Sequence, residues 1–296
     1  MSEKVKVFLS LLLSMICWAF SFVWIKQAFE SFNPLTIVVL RLTLSAVLLF
    51  VILTLMKKLK RLHLKDFKWF VLLAFFEPFL YFMGESFGLQ VVSSTVGAVI
   101  VSTIPLFSPI TDRLFFKSRI SAMNIAGIVI SFAGVLFIIF EDGFNLTAPL
   151  YGILLVFLAV FAALGYSVVL KKIPKSYNAV SIITYQNMIG IFFFLPLFFT
   201  YEWEHFISTT ITSTSIWAVV QLAIFASSLA FIFFTYGMRI IGITKANVFV
   251  NLIPVFTAIF AYFILGELLN VQKIVGIIIV VGGVFISQLK IRKNGV

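Results

Sequence analysis

The amino-acid sequence predicts an all-α integral membrane protein in which ten transmembrane helices form two inverted-topology repeats of five helices each. Three observations lead to this prediction: the composition, the number of long apolar runs, and an internal repeat. Of the 296 residues, 62% are hydrophobic and 11% are charged, whereas a soluble domain is roughly half apolar and a quarter charged. The composition therefore excludes an ordinary soluble domain.

Ten apolar runs are long enough to cross a bilayer, because a spanning helix needs ~20 mostly apolar residues. The first run is too long, and lacks the small-residue cleavage site, for a signal peptide, so we expect it to be retained. Continuous runs of this length also exclude a transmembrane β-barrel, whose strands alternate over about ten residues. The runs lie at 5–28, 34–56, 67–89, 93–115, 121–140, 150–170, 178–200, 214–238, 244–265 and 272–290.

The sequence repeats itself at a long interval, and such a repeat fixes the architecture before any single motif. The stretch 94–135 aligns with 243–284 at an offset of 149, which places Pro105 on Pro254. An offset of 145 aligns the first two runs with the sixth and seventh. Five helices thus form each copy, and because five is odd, the second copy enters the membrane from the opposite side. The predicted copies span 5–140 and 150–290 within one transmembrane domain.

The net charge of +11 is explained by topology. If the N-terminus is cytoplasmic, nearly all Lys and Arg residues fall in cytoplasmic segments; Lys26 and Lys273 lie outside and Arg41 lies within a span. This asymmetry follows the positive-inside rule and predicts a multi-pass protein with both termini cytoplasmic. The basic excess then requires no nucleic-acid partner, and the lipid bilayer is the expected surrounding.

Glu77, Tyr81 and Glu85 form one stripe of the third predicted helix, since they are spaced i, i+4, i+8. Glu77 lies ~15 Å into its run, near the midplane, where a charged side chain must face the protein interior. A carboxyl group held away from water binds a proton more readily, so Glu77 is a candidate for proton coupling or for binding a cationic amine. The alternative is a protonated structural residue beside Pro78. The aligned residues of the stripe are Ala226, Ala230 and Phe234.

Arg41 and Glu85 both fall near the outer ends of their predicted spans. We predict that they form an ion pair that closes an outer gate. Two alternatives stay open: each side chain extends independently to the interface, or Arg41 meets a substrate carboxylate.

Two prolines and several polar or aromatic residues complete the predicted site. Pro105 and Pro254 predict helix breaks, which free backbone carbonyls that can serve a ligand if they line a cavity. Asn247 and Asn251 precede Pro254 and suit a polar ligand, although amides also form interhelical hydrogen bonds. The other predicted substrate contacts are Trp18, Ser102, Tyr166 and Tyr236, for which packing is the alternative role.

The order of these features resembles the drug/metabolite transporter superfamily, in particular its EamA-like ten-helix members. The resemblance rests on Trp18-Ala19 with a following Lys26, on Arg41, on both prolines, and on Leu265-Gly266-Glu267 with the glycines that follow. The first copy departs from the family pattern, because Lys117-Ser118 stands where a Gly-Glu step is common. The resemblance implies a secondary transporter of the inner or plasma membrane, commonly an exporter of amino acids or related metabolites. It also implies a central cavity lined mainly by the third, fourth, eighth and ninth helices and by parts of the first and sixth.

The sequence therefore predicts secondary active export of small polar metabolites, such as amino acids or amines, by alternating access, with the proton as the hypothesised coupling ion. The alternatives are an uncoupled facilitative carrier and, from another class, an intramembrane enzyme or scaffold. We expect no enzymatic activity, cofactor or metal, since the two histidines, His63 and His205, lie in loops on opposite sides and no phosphate-binding loop is present. Both a monomer and a dimer are compatible with the sequence.

Overall fold

A computed structural model describes residues 2–116, 121–141 and 145–288. Within these ranges the chain forms a bundle of long helices. A short helix, Trp203–Ser208, follows the long helix Ala179–Tyr201. The strands β1 (Phe140–Glu141) and β2 (Asn145–Leu146) pair antiparallel where the two copies join. The long helices are α1 (Glu3–Ala28), α2 (Pro34–Leu55), α3 (Leu64–Val91), α4 (segments Ser94–Val101 and Ile104–Phe116), α5 (Ala122–Ile139), α6 (Leu150–Leu170), α7 (Ala179–Tyr201), α8 (Ser213–Ile241), α9 (Ile243–Leu265) and α10 (Val271–Gln288).

The helices agree with the predicted apolar runs. In the described part of the chain, α1 to α9 are each long and apolar enough to cross a membrane, and α10 contributes a shorter apolar stretch, Val271–Ser287. The prediction of a multi-pass, all-α membrane protein is therefore confirmed, with a tenth span that is shorter than the others.

Four helices depart from regular α-helical geometry, and α3 with α8 and α4 with α9 each share a departure at corresponding positions. α3 contains a π-helical segment at Phe75–Leu80, and α8 contains one at Leu222–Ala230. α4 is interrupted at residues 102–103, and α9 tightens to a 3₁₀-helix at Val248–Asn251. A further π-helical segment, Ala261–Leu265 of α9, aligns with regular α-helix in α4. Because π-helical segments often occur at functional sites, the middle of the bundle is the first place to search for one.

α5 and α10 pack along each other at very short range. A methyl group added at Gly127 would lie 2.5 Å from the carbonyl oxygen of Gly283, and one at Gly283 would lie 2.5 Å from the Ser131 nitrogen. Only glycine allows the two backbones to approach this closely. Gly282, the neighbour of Gly283, faces open space instead, since nothing lies within 4 Å of its added methyl.

Two ends of the bundle can be distinguished by their contacts. At one end, here named the Glu267 face, Glu202 and Glu267 accept hydrogen bonds from the first residues of α2 and α4. At the other end, named the Arg239 face, Arg239 donates to the carbonyl oxygens of Tyr177 and Pro174. These two faces frame the central region of the protein.

Candidate functional site

A small cavity lies in the middle of the bundle, between the two copies. Its volume is about 50 Å³, which is room for roughly three to five water molecules at ~10–15 Å³ each. Arg41 of α2 lines this cavity. The other lining residues come from α1, α3 and α4 of the first copy and from α6, α8 and α9 of the second.

Most of the lining residues come in pairs that the internal repeat aligns. The pairs are Trp18 with Ala163, Ser21 with Tyr166, Phe22 with Ser167, Phe82 with Phe231, Glu85 with Phe234, Val101 with Val250, and Ile104 with Ile253. Four lining residues have an aligned residue that does not line the cavity: Arg41, Glu77, Tyr81 and Asn247. The cavity is thus a shared feature of the fold, and these four give it chemistry that comes from one copy only.

Arg41 is 2% exposed and is held by several groups at once. Its Nε donates to Ser227 Oγ at 2.8 Å, and its Nη1 lies 3.9 Å from Glu85 Oε2. The guanidinium carbon lies 4.2 Å from the centre of the Phe82 ring, a distance at which a cation is attracted to the aromatic face. A buried ion pair is tolerated only when further contacts satisfy both partners; Ser227 and the Phe82 ring supply contacts to the guanidinium, although its Nη1 makes no hydrogen bond within the described part of the chain.

Tyr81 completes this arrangement from the same stripe of α3. Its hydroxyl donates to Glu85 Oε1 at 3.1 Å. The Glu85 carboxylate is therefore engaged on one oxygen by Tyr81 and on the other by Arg41. The predicted pair of Arg41 and Glu85 does form, and both side chains line the cavity; a role as a gate remains a prediction.

Glu77 lies where α3 loses its helical geometry. Its backbone is extended, with φ −148° and ψ 116°, and Pro78 follows it. The side chain is 5% exposed and lines the cavity. Among the described residues, the Glu77 carboxylate accepts no hydrogen bond and has no cationic group within ion-pair distance. It is the free acidic group of this cavity.

A second polar group in the cavity also lacks a hydrogen bond. Arg41 Nη1 is buried and makes no hydrogen bond within the described part of the chain. A buried polar atom without a partner costs free energy, so such atoms point to a ligand or to water. Three polar groups of the cavity, the Glu77 carboxylate, Arg41 Nη1 and the Tyr166 hydroxyl, thus make no hydrogen bond among the described residues.

The helix breaks lie beside this cavity. α4 resumes at Ile104, just before Pro105, and the irregular turn of α9 ends just before Pro254. Val101 and Ile104 on one side, and Val250 and Ile253 on the other, line the cavity at these breaks. Both predicted prolines therefore stand next to a local departure from α-helix.

Three predicted substrate contacts, Ser102, Tyr236 and Asn251, do not line the central cavity, which corrects the predicted site. Ser102 is fully buried, and its hydroxyl donates to the Val99 carbonyl of its own helix at 2.7 Å. Tyr236 is 36% exposed and lines a different cavity near the Arg239 face. Asn251 is buried but does not line the central cavity. The irregular turn of α9 at Val248–Asn251 accounts for the placement of Asn251, and Ser102 lies at the interruption of α4. Tyr236 lies in a regular α-helical segment and lines the other cavity.

Trp18, Tyr166 and Asn247 do line the cavity, as Arg41, Glu77, Tyr81 and Glu85 do. The single-residue predictions missed Phe82, Phe231 and Phe234, which form much of the aromatic wall. The alignment of Phe82 with Phe231 was visible in the sequence. A comparison of the two copies along whole helices would have identified these residues in the sequence.

Comparison with known proteins agrees with this architecture. The profile of the EamA-like transporter family matches residues 5–140 and 150–289. The chain belongs to the EamA-like transporter family. Its two EamA domains follow one another along the chain.

Relatives of similar length align with nearly the whole chain. An uncharacterized transporter of Bacillus subtilis, YdfC, is 28% identical, over 98% of this chain and 94% of its own. An uncharacterized transporter of Archaeoglobus fulgidus is also 28% identical, over 96% of this chain and 99% of its own. A protein of known crystal structure has the same fold, with a TM-score of 0.73 and 15% identity, over 96% of this chain and 98% of that chain. The EamA-like chain is therefore a multi-pass membrane transporter.

Proposed function

We propose that this EamA-like transporter is a secondary active exporter of small zwitterionic or amine metabolites, with amino acids as the main class, and that it works by alternating access. The observation that carries the proposal is one central cavity that brings together the Glu77 carboxylate, which accepts no hydrogen bond among the described residues, and Arg41 Nη1, which makes no hydrogen bond and lies 3.9 Å from Glu85. A carboxylate binds an ammonium group, and a guanidinium N–H binds a carboxylate. An α-amino acid carries both complementary groups.

The rest of the cavity fits a small organic ligand. Trp18, Phe231 and Phe234 form an aromatic wall; the Trp18 ring centroid lies 5.1 Å from that of Phe231 and 5.0 Å from that of Phe234. Aromatic faces also attract ammonium groups. The cavity has room for only a few water molecules, so it must widen to bind an amino acid. Alternating access provides this, because the cavity opens to one side of the membrane at a time.

Glu77 is the proposed coupling residue. One carboxylate binds either a proton or the substrate ammonium group at a given time. Release of the substrate on one side of the membrane then allows a proton to bind, and the return of the protonated site moves that proton the other way. This competition makes proton entry drive substrate export.

The distribution of basic residues supports an orientation for this cycle. With both termini cytoplasmic, the Arg239 face is cytoplasmic and the Glu267 face is external. This orientation follows the positive-inside rule, and the resemblance to the drug/metabolite transporter superfamily implies the inner or plasma membrane.

The proposal is tested in proteoliposomes. A thermal-shift screen of amino acids and amines first selects a ligand, because a ligand that binds the folded state raises its apparent stability. Flux of that ligand is then measured with and without an imposed pH gradient. We expect wild-type flux to follow the pH gradient, and Glu77→Gln to abolish this dependence.

The matched control is Glu204→Gln, which removes an exposed carboxylate outside the cavity. It should transport as the wild type does. Proton dependence that survives Glu77→Gln would remove the coupling role. Wild-type flux that follows the substrate gradient alone would identify an uncoupled facilitative carrier instead.

A further inference from the structure

The junction between α3 and α4 is bound by a carboxylate from the other copy. Glu267 Oε1 accepts from the Ser94 nitrogen at 2.8 Å, and Oε2 accepts from the Thr95 nitrogen at 3.2 Å and from Thr95 Oγ1 at 2.8 Å. The first N–H groups of a helix have no partner within the helix. A carboxylate there satisfies them and interacts favourably with the helix dipole.

A lysine binds the other side of the same junction. Lys26 Nζ of α1 donates to the carbonyl oxygen of Leu89, in the last turn of α3. A cation near a helix C-terminus is favourable for the same electrostatic reason. Ser94 Oγ also donates to the Phe22 carbonyl of α1, at 3.0 Å. α1, α3, α4 and the segment after α9 are thereby fastened together at the Glu267 face.

The Gly-Glu step noted in the sequence has a structural reason in this arrangement. α9 ends at Gly266, whose φ is +68°, a left-handed conformation that favours glycine. The following Glu267 nitrogen donates back to the Ala261 carbonyl at 3.1 Å. This turn directs the Glu267 side chain to the start of α4.

Between α4 and α9 themselves, the contact that the described residues make towards the Arg239 face is weaker. There Asn247 Nδ2 donates to Ser108 Oγ at 2.9 Å, a hydrogen bond between neutral groups. The residue aligned with Glu267 is Ser118, which lies outside the described residues, and a serine carries no charge. Hydrogen bonds to an ionised group are roughly twice as strong as neutral ones.

We propose that Glu267 and Lys26 form a clasp that closes the cavity at the Glu267 face, and that this end is the harder of the two to open. The clasp is defined by the contacts of these two side chains with Ser94, Thr95 and Leu89. The inference rests on the alternating access proposed above. It assigns Glu267, which aligns with Ser118 of the first copy, a role in setting which side opens at rest.

The test measures the opening of both faces by electron paramagnetic resonance distances in lipid nanodiscs. In a Cys17→Ser background, which removes the free cysteine, spin labels on Gln90→Cys and Phe263→Cys report the Glu267 face. Labels on Leu114→Cys and Ile240→Cys report the Arg239 face; all four sites are exposed. We expect Glu267→Gln to increase the Glu267-face-open population about tenfold, because it weakens a charged cap.

Lys26→Met, a second and independent variant, should shift the population in the same direction. In both variants the Arg239-face pair should shorten as the other pair lengthens. A loop that merely detaches would leave the Arg239-face pair unchanged. That result would overturn the clasp.

The matched control is Glu202→Gln on the same face. Glu202 accepts three similar hydrogen bonds, from the Leu35 and Thr36 nitrogens and from Thr36 Oγ1, at 3.1, 2.7 and 2.8 Å. These bonds fasten α2 rather than the α3–α4 junction, so the control should leave both distances as in the wild type. Equal opening in Glu202→Gln would overturn the clasp, because the whole face would then be loosened.

The wild-type protein separates this inference from the function on which it rests. If its distances shift when the ligand or the pH changes, alternating access holds, and an unchanged Glu267→Gln would contradict the clasp alone. If the wild-type distances stay fixed under every condition and no flux is detected, both the proposed function and the clasp fail.

Discussion

The two copies have helix irregularities at corresponding positions but differ in the geometry of these irregularities and in the side chains placed on them. The π-helical segments of α3 and α8 lie at aligned positions, yet one contains Glu77-Pro78 and the other Ala226-Ser227. A break that occurs in both copies belongs to the fold. The carboxylate occurs in one copy only, so the fold does not require it and its presence calls for a functional explanation.

The difference between the copies also shows how they depend on each other. Ser227 stands where the first copy has Pro78, and its hydroxyl accepts the hydrogen bond from Arg41 Nε. Asn187 of α7 and Ser45 of α2 continue this polar contact, with Asn187 Nδ2 donating to Ser45 Oγ at 2.7 Å. The cavity's charged residues lie on the first copy, and a neutral polar group of the second copy, the Ser227 hydroxyl, holds one of them, Arg41.

Converting Arg41 to the residue that the second copy has at this position is expected to have the largest effect. Arg41→Gln leaves Glu85 buried without its cation, which typically costs ~3–5 kcal/mol. We expect a correspondingly lower free energy of unfolding and loss of ligand binding. The measurement is denaturation of the purified protein in detergent, with and without the selected ligand.

The matched variant is Arg41→Gln combined with Glu85→Gln, which removes both charges. Because replacing both partners of a buried ion pair is often nearly neutral, the double variant should recover most of the lost stability. It should not recover ligand binding. A double variant as unstable as the single one would show that packing of Arg41, rather than its pairing with Glu85, stabilises this region.

The fold could be predicted from the sequence because the lengths of the apolar runs and the internal repeat can be recognised without knowing where individual side chains point. Much of the cavity's chemistry was also predictable, since Glu77 and Arg41 differ from their aligned residues. What failed was the angular position of Ser102 and Asn251. A 3.6-residue spacing cannot place side chains where the chain leaves the α-helix, and the degree of that departure is set by packing between helices.

A second prediction concerns a region in which the copies are alike, the α5–α10 contact. A methyl group at Gly283 would lie 2.5 Å from the Ser131 nitrogen and 2.9 Å from the Gly127 carbonyl oxygen. Gly283→Ala should therefore destabilise the protein by ~1–3 kcal/mol, as overpacking does. Gly282→Ala is the control, since its methyl meets nothing within 4 Å. Equal losses in both variants, measured by thermal unfolding, would contradict this assignment of the contact.

A smaller effect is expected at the Arg239 end of α4 and α9. Asn247→Ala introduces the residue that the first copy has at this position, Ala98, and removes the hydrogen bond to Ser108. Ser108 Oγ keeps its own bond to the Ile104 carbonyl, so the loss should be ~1 kcal/mol. The spin-label pair on Leu114→Cys and Ile240→Cys should lengthen. A shorter distance would contradict the assignment of this bond to that face.

The smallest effect is expected at Asn251. Both amide atoms of this residue are buried and have no hydrogen-bond partner among the described residues. Asn251→Ser introduces the residue of the first copy, Ser102, whose hydroxyl bonds to its own helix. Removing an unsatisfied buried group relieves a penalty of ~1–3 kcal/mol, which offsets the lost packing.

The free energy of unfolding of Asn251→Ser should therefore match or exceed that of the wild type, and ligand flux should not change. Asn247→Ala, measured in the same assays, supplies the comparison with a residue that does line the cavity. Flux abolished by Asn251→Ser at unchanged stability would contradict the placement of Asn251 outside the site. It would mean that the irregular turn of α9 rotates towards the substrate during the transport cycle, and that the two copies differ in motion as well as in charge.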